Sequence, residues 1–519
     1  MDKKVEIKLK ITESLSLFLE KNHPAFPYFK IIQKSLDARK ANQGKTPIYL
    51  YRVLLSQNPI EDKKDQFEVK SKIKRDLKPV IIGAGPAGLF CALRLKDYGV
   101  ESVIIERGES TKKRMLSIAK YWRRGELDTE SNVCFGEGGA GLFSDGKIYT
   151  RVKSPYISYV INKFIEFGAD PEIAYVSNPH LGSYKIRKII SRLSQDLISF
   201  GSEIKFEHKL ENIKEVNNKG VELAFANGTS QKYPMVVLAC GHSAESLYES
   251  IWKSINLSIT PKPFALGFRI EHPRKYIDDL QFGQFSKDLG AATYRVKYFD
   301  KNIERGSYSF CMCPGGYVLS SATQKNSLVT NGMSNDSHNS PWSNSAIVTE
   351  ISLKDFKSNN ENPFEGFRFI NQIEEKAFNS SKLNATGKEL PALSLREYLS
   401  NSLDVSKPLP ASSCPSRLFK TDISQFYPDF VNERLRNALR AIDNSKLKGF
   451  LLDEALLIAP ETRTSSPITI LRDKNSLESM SHPRIYPCGE GAGYAGGITS
   501  AAIDGIRVAE KIIENYLIT

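Results

Sequence analysis

The stretch Lys78–Gly108, KPVIIGAGPAGLFCALRLKDYGVESVIIERG, contains the clearest indication of the fold. An apolar run at Val80–Ile82 is followed by a glycine-rich turn, a segment with helical character, a stop at Gly99 and a second apolar run that leads to Glu106. A strand, a tight turn, a helix and a second strand in this order are typical of a βαβ unit. The sequence therefore predicts an α/β protein whose Rossmann-like domain begins at about residue 79.

The turn in this unit has the spacing Gly-x-Gly-x-x-Gly at Gly83, Gly85 and Gly88. The first glycine permits the tight turn, the second lets a pyrophosphate approach the backbone, and the third lets helix and strand pack closely. The N-terminus of the helix offers unpaired N–H groups to the phosphates. Glu106 follows about 20 residues later, where a carboxylate accepts hydrogen bonds from ribose hydroxyls. We predict a dinucleotide site; the alternative is a glycine turn without a ligand.

A second glycine-dense stretch, Tyr486–Gly505 (YPCGEGAGYAGGITSAAIDG), lies near the end of the sequence. A short apolar strand ends at Gly489 and Glu490, and the pair Gly496 and Gly497 precedes a helical pattern. Glycines there allow a flat ring to approach, and a helix N-terminus favours the negative charge of a reduced flavin. Two elements so far apart suit FAD, which spans a domain, better than a nicotinamide. A glycine-rich hinge is the alternative.

These motifs resemble the two-dinucleotide-binding-domain flavoproteins of the glutathione-reductase-like superfamily. Within it the chain is similar to the bacterial FAD-dependent dehydrogenase family, often labelled NAD(FAD)-utilizing dehydrogenases. The resemblance covers roughly residues 79–515 and rests on GAGPAGLFCALRL, GEGGAGLFSDGKIYTR, VVLACGHSA, FALGFRIEHP, SFCMCPGGYV, TNGMS, ETRTSSPITILRD and GEGAGYAGGITSAAIDG. It implies FAD as the cofactor, held by Gly83, Gly85, Pro86, Ala87, Gly88, Glu106, Arg107, Gly138, Gly139, Gly241, Gly489, Glu490, Gly496, Gly497 and Ile498.

The sequence departs from the superfamily in one respect. No second Gly-x-Gly-x-x-Gly occurs between residues 150 and 300. A separate domain for NAD(P)H is therefore not expected, and we predict that any NAD(P)H visits the flavin transiently as an electron donor.

Two thiols are candidates for catalysis, because Cys311 and Cys313 precede a Pro-Gly-Gly turn in SFCMCPGGYV. Residues two apart in a strand share a face at about 6–7 Å, which is near the upper limit for a disulfide. A bend at Pro314 would let them form a strained disulfide that the flavin reduces. The alternative is that they are small apolar residues at a tight turn, and the sequence favours them as neighbours of the flavin over reagents.

Histidine and arginine residues provide the other candidates. His272, His242 and His180 could each transfer a proton, although each is more often structural. Arg463 and Arg472 could anchor a substrate carboxylate or phosphate, or else fix loops around FAD. The Cys-x-Cys motif lacks a second pair of ligands, so no metal site is predicted.

Composition limits the class of protein. The 519 residues contain no apolar run long enough to predict a membrane span, and MDKKVEIKLK does not resemble a signal peptide. Seven cysteines indicate a reducing compartment, so we expect a cytoplasmic protein. Residues 1–78 contain 18 Lys and Arg against 10 Asp and Glu. This excess could bind nucleic acid, but without interleaved aromatic residues a solvated lysine-rich surface is the favoured interpretation.

The predicted fold class is α/β. A small basic α+β module occupies residues 1–78, a Rossmann-like FAD-binding domain is split between 79–262 and 431–519, and a mixed α+β substrate or cap domain fills 263–430. The charged run before residue 79 suggests a linker or exposed hairpin, and the Asn- and Ser-rich segment 335–365 suggests long surface loops.

The predicted function is an FAD-dependent oxidoreductase that passes hydride or electrons between the flavin and a small-molecule substrate. Two alternatives remain. One is an RNA-modifying flavoprotein that holds RNA through residues 1–78, and the other is a flavin-binding protein without turnover. No oligomeric state is predicted.

Overall fold

The computed structural model describes residues 2–60, 67, 69, 77–217, 219–356, 362–384, 388–445 and 447–516. The strands are β1 (Lys3–Lys10), β2 (Tyr28–Asp37), β3 (Ile48–Ser56), β4 (Val80–Ile82), β5 (Val103–Ile105), β6 (Glu203–Lys205), β7 (Leu210–Asn217), β8 (Gly220–Phe225), β9 (Ser230–Tyr233), β10 (Val236–Leu238), β11 (Ile259–Pro261), β12 (Phe264–Pro273), β13 (Lys297–Asp300), β14 (Arg305–Cys313), β15 (Gly316–Ser320), β16 (Thr330–Ser334), β17 (Trp342–Ile351), β18 (Leu390–Ser394), β19 (Leu418–Lys420), β20 (Leu456–Glu461), β21 (Ile468–Ile470) and β22 (Ile485–Pro487). The helices are α1 (Leu15–Asn22), α2 (Pro86–Asp97), α3 (Thr111–Arg124), α4 (Ile157–Glu166), α5 (Gly182–Phe200), α6 (Glu245–Ile255), α7 (Arg274–Phe282), α8 (Glu365–Asn384), α9 (Leu395–Ser400), α10 (Asp429–Ser445) and α11 (Ile498–Tyr516).

The N-terminal unit is a three-stranded antiparallel sheet in the order β1-β3-β2. Helix α1 packs Leu15 and Leu19 onto the inward-facing residues of β1 and β3. The unit contacts the rest of the chain at β2, where Lys34 Nζ donates to Glu172 Oε1 at 2.8 Å. The α+β character predicted for this unit is confirmed. The predicted linker before residue 79 lies mostly outside the described residues.

A five-stranded parallel sheet in the order β22-β10-β4-β5-β6 forms the central unit. Four of its strands, β4, β5, β10 and β22, consist of buried residues, as expected for strands that are covered on both faces. Helices α2 and α11 pack against each other on one face, and β7, β8 and α6 cover the other. Because β10 joins β4 to β22, distant parts of the sequence form one sheet, which confirms the predicted α/β fold.

The predicted substrate or cap domain contains a seven-stranded sheet in the order β13-β14-β17-β12-β20-β18-β19. Strands β12 and β17 pair over ten residues at its centre. Ile277 of α7, Ile373 of α8 and Leu435 of α10 pack on it in one apolar core. Among the described residues, no helix has the length and apolar character needed to cross a membrane.

Two details of the predicted organisation differ from this sheet. Strand β20 pairs with β12 and β18, so the sheet continues to Glu461, past the predicted boundary at residue 430. The prediction of long surface loops over 335–365 is wrong for Trp342–Ile351, which is the buried strand β17; residues 357–361 of that segment lie outside the described part. The polar residues of β17 are buried because they have partners: Ser345 Oγ lies 2.8 Å from the Tyr294 hydroxyl.

Candidate active site

A cavity of about 1850 Å³ lies at the carboxyl ends of β4, β10 and β22. One wall is built by the glycine turn after β4 and the crossing at Ala239–Gly241 after β10, and another by residues around Tyr294 and Cys311 beside the seven-stranded sheet. Ligands of open α/β sheets bind outside the carboxyl ends of the strands. This cavity is therefore the candidate site.

The glycine turn is closely packed against the crossing. Gly83 has φ +108°, and a Cβ at this position would lie 2.4 Å from the carbonyl oxygen of Ala239. A Cβ on Gly88 would lie 2.0 Å from the oxygen of Gly83. Gly85 precedes α2 and provides no side-chain cap, so the first N–H groups of the helix remain available at the cavity. The three glycines thus hold a helix N-terminus against the cavity wall.

Glu106 organises the backbone around this turn. Its carboxylate accepts hydrogen bonds from the N–H groups of Ala84, Gly108 and Gly136, each at 2.9 Å. Two of these bonds go to Oε1 and one goes to Oε2, so Oε2 keeps a lone pair for a further donor. The carboxylate therefore fixes two loops and can still accept a hydrogen bond from a ligand hydroxyl.

The loop Asn132–Gly139 along the cavity depends on Arg114, which the sequence did not indicate. The Arg114 side chain is fully buried and donates to the carbonyl oxygens of Asn132, Val133, Glu137 and Gly139 at 2.7–3.0 Å. Burial lowers the pKa of Arg114 to about 10. Arg114 is one of several basic residues in α3, and nothing in the local sequence distinguishes it from its exposed neighbours.

The C-terminal glycine stretch is fixed by a second buried arginine. Arg472 forms a two-bond pair with the carboxylate of Asp504 at 2.6 and 2.9 Å, and it donates to the carbonyl oxygen of Pro487 at 2.7 Å. Asp504 also accepts a hydrogen bond from the N–H of Gly489. Arg472 does not line the cavity, so of the two predicted roles the structure favours fixing a loop.

Most of the residues predicted to bind the cofactor come together at the cavity. Those that line it are Gly83, Gly85, Pro86, Ala87, Glu106, Arg107, Gly139, Gly241, Glu490, Gly496, Gly497 and Ile498. Gly88, Gly138 and Gly489 do not line it: Gly88 lies in the first turn of α2, and Gly138 and Gly489 lie in turns with positive φ beside it. Apart from the glycine itself and its chain neighbours, no described atom lies within 4 Å of the position that a Cβ would take on Gly241, Gly496 or Gly497. These three glycines therefore leave open space where side chains would intrude.

Two charged residues of the cavity have unusual surroundings. Burial raises the pKa of Glu490 to about 7, while Lys262 acts in the opposite direction. Arg463 pairs with the carboxylate of Glu374 at 2.7 and 2.8 Å, and its Nη1 has no hydrogen-bond partner within the described residues. Glu490 can therefore exchange a proton near neutral pH, and Arg463 retains a donor for an anionic group.

Cys311 and Cys313 are close to each other but differ in environment. Cys311 lines the cavity with φ +43°, whereas Cys313 is buried and its thiol donates to the carbonyl oxygen of Cys311 at 3.4 Å. Neither is in a disulfide. Desolvation raises the pKa of Cys311 to about 11 and that of Cys313 to about 12. Both thiols are therefore protonated at neutral pH, which is the less reactive form.

Replacing Cys311 and Cys313 by serine is expected to leave the reoxidation rate of the reduced flavin unchanged, because a protonated thiol is a poor nucleophile. Stopped-flow absorbance after anaerobic reduction measures this rate. Cys134→Ser, at another thiol that lines the cavity, is the matched control. If only the double variant is reoxidised more slowly, the hypothesis that Cys311 and Cys313 exchange electrons with the flavin would be supported instead.

The structure places His272 outside the cavity, contrary to its selection as a catalytic candidate. Its side chain is fully buried, and Nε2 lies 2.9 Å from the carbonyl oxygen of Phe450. Burial lowers its pKa to about 4. The physical reason is the central place of β12, which is flanked by β17 and β20 and covered by α7. Of the other two histidines, His242 and His180 both line the cavity.

His180 has two partners that local spacing did not predict. Asp145 and His338 lie beside it, and one potential ligand atom from each of the three residues falls within 4.8 Å of the others. All three residues line the cavity. The prediction of no metal site considered only ligands close together in sequence, and it does not cover this group, whose residues come from distant segments.

Comparisons with known proteins identify the cofactor. Residues 76–119 match the family described as "FAD binding domain", and residues 263–464 match "FAD-dependent protein, C-terminal domain-like". An "Uncharacterized protein" of Clostridium beijerinckii is 38% identical over 502 residues, covering 94% of this chain and 92% of its own. The two family matches confirm FAD as the predicted cofactor.

Matches among solved structures are more distant. Halogenase PltM is 11% identical with a TM-score of 0.35, and the match covers 85% of this chain and 70% of that one. CtdE in complex with FAD is 12% identical with a TM-score of 0.32, and 84% of each chain is covered. The assignment to the glutathione-reductase-like superfamily stays a prediction.

Proposed function

Because this chain belongs to the family of the Clostridium beijerinckii protein and is an FAD-dependent oxidoreductase, we propose that it transfers hydride or electrons between the flavin and a small-molecule substrate held in the same cavity. The observation that carries this proposal is the size of the cavity, about 1850 Å³. Pockets for one small ligand usually measure about 300–1,000 Å³. The volume supports a substrate bound beside the cofactor.

The residues present fit an extended dinucleotide. Gly83 donates its N–H to the carbonyl oxygen of Ile105 and shapes the turn, while Gly85 places a backbone N–H at the cavity without a side chain. The start of α2 favours the negative charge of a pyrophosphate. Glu106 Oε2 can accept a hydrogen bond from a ribose hydroxyl. The open space at Gly496 and Gly497 suits the close approach of a flat ring. FAD would therefore be held between the turn after β4 and the start of α11.

FAD supplies the redox chemistry when it is bound, and the chain supplies positioning and proton transfer. Glu490 has a pKa close to 7, so it can hold or release a proton at the cavity wall. Arg463 Nη1 can bind a carboxylate or phosphate of the substrate. Apolar side chains such as Phe135, Phe310 and Met312 also line the cavity and exclude water from it.

Anaerobic addition of NADH or NADPH to the FAD-loaded protein is expected to bleach the flavin absorbance, because the open cavity admits a transient donor to the flavin. Absorbance spectra during the titration measure the reduction, and dithionite defines its full extent. Bleaching by dithionite with no response to either nucleotide would contradict NAD(P)H as the donor. A reduced flavin that no acceptor reoxidises would favour the alternative of a binding protein without turnover.

A nucleic-acid partner for residues 1–78 stays the less favoured alternative to a solvated lysine-rich surface. It requires RNA retention that falls with salt and that is lost from a chain lacking these residues.

A further inference from the structure

Three residues from distant parts of the chain converge on the cavity wall. Asp145 follows the short helical turn Gly139–Phe143, His180 lies just before α5, and His338 lies in the connection between β16 and β17. Asp145 is almost fully buried, and both histidines are partly buried. The cluster is therefore formed by the fold and not by local sequence spacing.

The polar atoms of this cluster are close together and unsatisfied. Asp145 Oδ1 lies 3.4 Å from His338 Nε2, and the imidazole rings of His180 and His338 have their centroids 4.0 Å apart. Within the described part of the chain, Asp145 Oδ1, His180 Nε2 and His338 Nε2 are buried without a hydrogen-bond partner. Buried polar atoms without partners are uncommon and costly in proteins. Asp145 Oδ1 and His338 Nε2 meet only in this 3.4 Å contact, and His180 Nε2 has no partner among the described residues, so the three atoms are placed to share a ligand.

Tight backbone contacts hold the three residues in position. A Cβ on Gly146 would lie 2.7 Å from the backbone nitrogen of Gly182, and a Cβ on Gly315 would lie 1.9 Å from the carbonyl oxygen of His338. The same carbonyl oxygen accepts a hydrogen bond from Arg274 Nη1 at 2.9 Å. His338 itself has φ +49°, a conformation that costs free energy and persists only where the surroundings impose it. The arrangement is therefore built by its neighbours.

The charge state of the cluster suits a cation despite a nearby lysine. Lys147 Nζ lies 3.5 Å from the other carboxylate oxygen, Oδ2 of Asp145, and also donates to the carbonyl oxygen of Met312. Lys147 therefore faces a different carboxylate oxygen from the one that faces His338, which leaves Oδ1 for a cation. A neutral imidazole and an ionised carboxylate are the forms that bind metal ions.

We propose that Asp145, His180 and His338 bind one divalent transition-metal ion at the wall of the flavin cavity. Two imidazoles and one carboxylate form a donor set that suits Zn²⁺ and related first-row ions, and three protein ligands leave a position open for water or a substrate group. This site goes beyond the proposed flavin chemistry, since that chemistry needs no metal. The competing arrangement is a hydrogen-bonded Asp–His pair without an ion.

The test uses the full-length, untagged, FAD-loaded protein, freed of metals by a chelator and then equilibrated with Zn²⁺. Mass spectrometry of the metal content is expected to give one Zn²⁺ per chain. Asp145→Asn, His180→Gln and His338→Gln should each weaken binding by at least about tenfold, because each removes a ligand. His208→Gln alters another histidine that lines the cavity outside the cluster and should bind Zn²⁺ as the unaltered protein does.

Absence of stoichiometric Zn²⁺ in the unaltered protein would overturn the proposal, as would unchanged binding in both histidine variants. The FAD content and melting temperature of each variant, measured in parallel, show that the fold is intact. Flavin bleaching by NAD(P)H is measured separately from Zn²⁺ content. A negative result for the metal site therefore does not count against the proposed oxidoreductase function, and the reverse also holds.

Discussion

Gly83→Ala is expected to lower the affinity for FAD by at least about 100-fold, where each 1.4 kcal/mol of binding free energy corresponds to a tenfold change in affinity. It should also lower the free energy of unfolding by about 2–4 kcal/mol, because alanine is strained in this backbone conformation. Gly83 has φ +108°, which alanine rarely adopts, and the new Cβ would lie 2.4 Å from the carbonyl oxygen of Ala239. That oxygen belongs to the backbone, so relief requires the turn after β4 and the crossing after β10 to separate. Both segments line the cavity. Flavin fluorescence titration and urea unfolding measure the two effects.

Two further glycine variants make this prediction specific. Gly290→Ala places a Cβ where no described atom lies within 4 Å and should leave both quantities unchanged. At Gly497, an added Cβ meets no described atom within 4 Å beyond the chain neighbours, so Gly497→Leu should weaken FAD binding while the melting temperature of the apoprotein stays the same. FAD binding by Gly83→Ala at the affinity of the unaltered chain would contradict the assignment of this turn to the cofactor.

Arg269→Met is expected to reduce the free energy of unfolding by about 3–5 kcal/mol, because it leaves a buried carboxylate without its partner. Arg269 is fully buried and pairs with Glu461 through two hydrogen bonds at 2.7 and 3.0 Å. Its third nitrogen, Nη1, donates to Asn344 Oδ1 at 2.8 Å and to the carbonyl oxygen of Cys311 at 3.1 Å. The variant therefore also loosens the strand that carries Cys311 at the cavity. Chemical denaturation followed by circular dichroism measures the loss.

The double variant Arg269→Met/Glu461→Leu is the matched control. It removes the stranded carboxylate together with the arginine, so its loss of stability should be smaller than that of Arg269→Met alone. A double variant that is less stable than the single one would contradict this explanation, because it would show that Glu461 stabilises the sheet without Arg269, for example through its hydrogen bond from Thr330 Oγ1 at 3.2 Å.

The parts of the fold that follow local rules were predictable from the sequence. The spacing of Gly83, Gly85 and Gly88 dictates a turn that only glycine can make, and the structure contains that turn. Strand β17 was not predictable in the same way, since its Ser343, Asn344 and Ser345 resemble a surface loop in composition. Each of these residues is buried with a partner from a distant segment: Asn344 Oδ1, for example, accepts a hydrogen bond from Arg269.

The candidate site shows the same division. The glycines of the turn after β4 and those before α11 predicted the walls of the candidate cavity, because a glycine's role depends on the local backbone. His272 was selected as a strand-end histidine, but exposure depends on what covers the strand, and β12 lies at the centre of its sheet. Arg114 and the pairing of His180 with His338 depend on contacts across the fold. Periodicity and motif spacing carry no information about such contacts.

The strand order of the parallel sheet has a consequence for biosynthesis. Strand β10 pairs with β4 on one side and with β22 on the other, and α11 packs against α2. A ribosome makes β4 and α2 long before it makes β22 and α11, so a nascent chain carries the first half of the cofactor cavity while the second half is still untranslated. At the proposed site, FAD would be enclosed only after translation has passed residue 498, so cofactor capture would be a late event in the maturation of this enzyme.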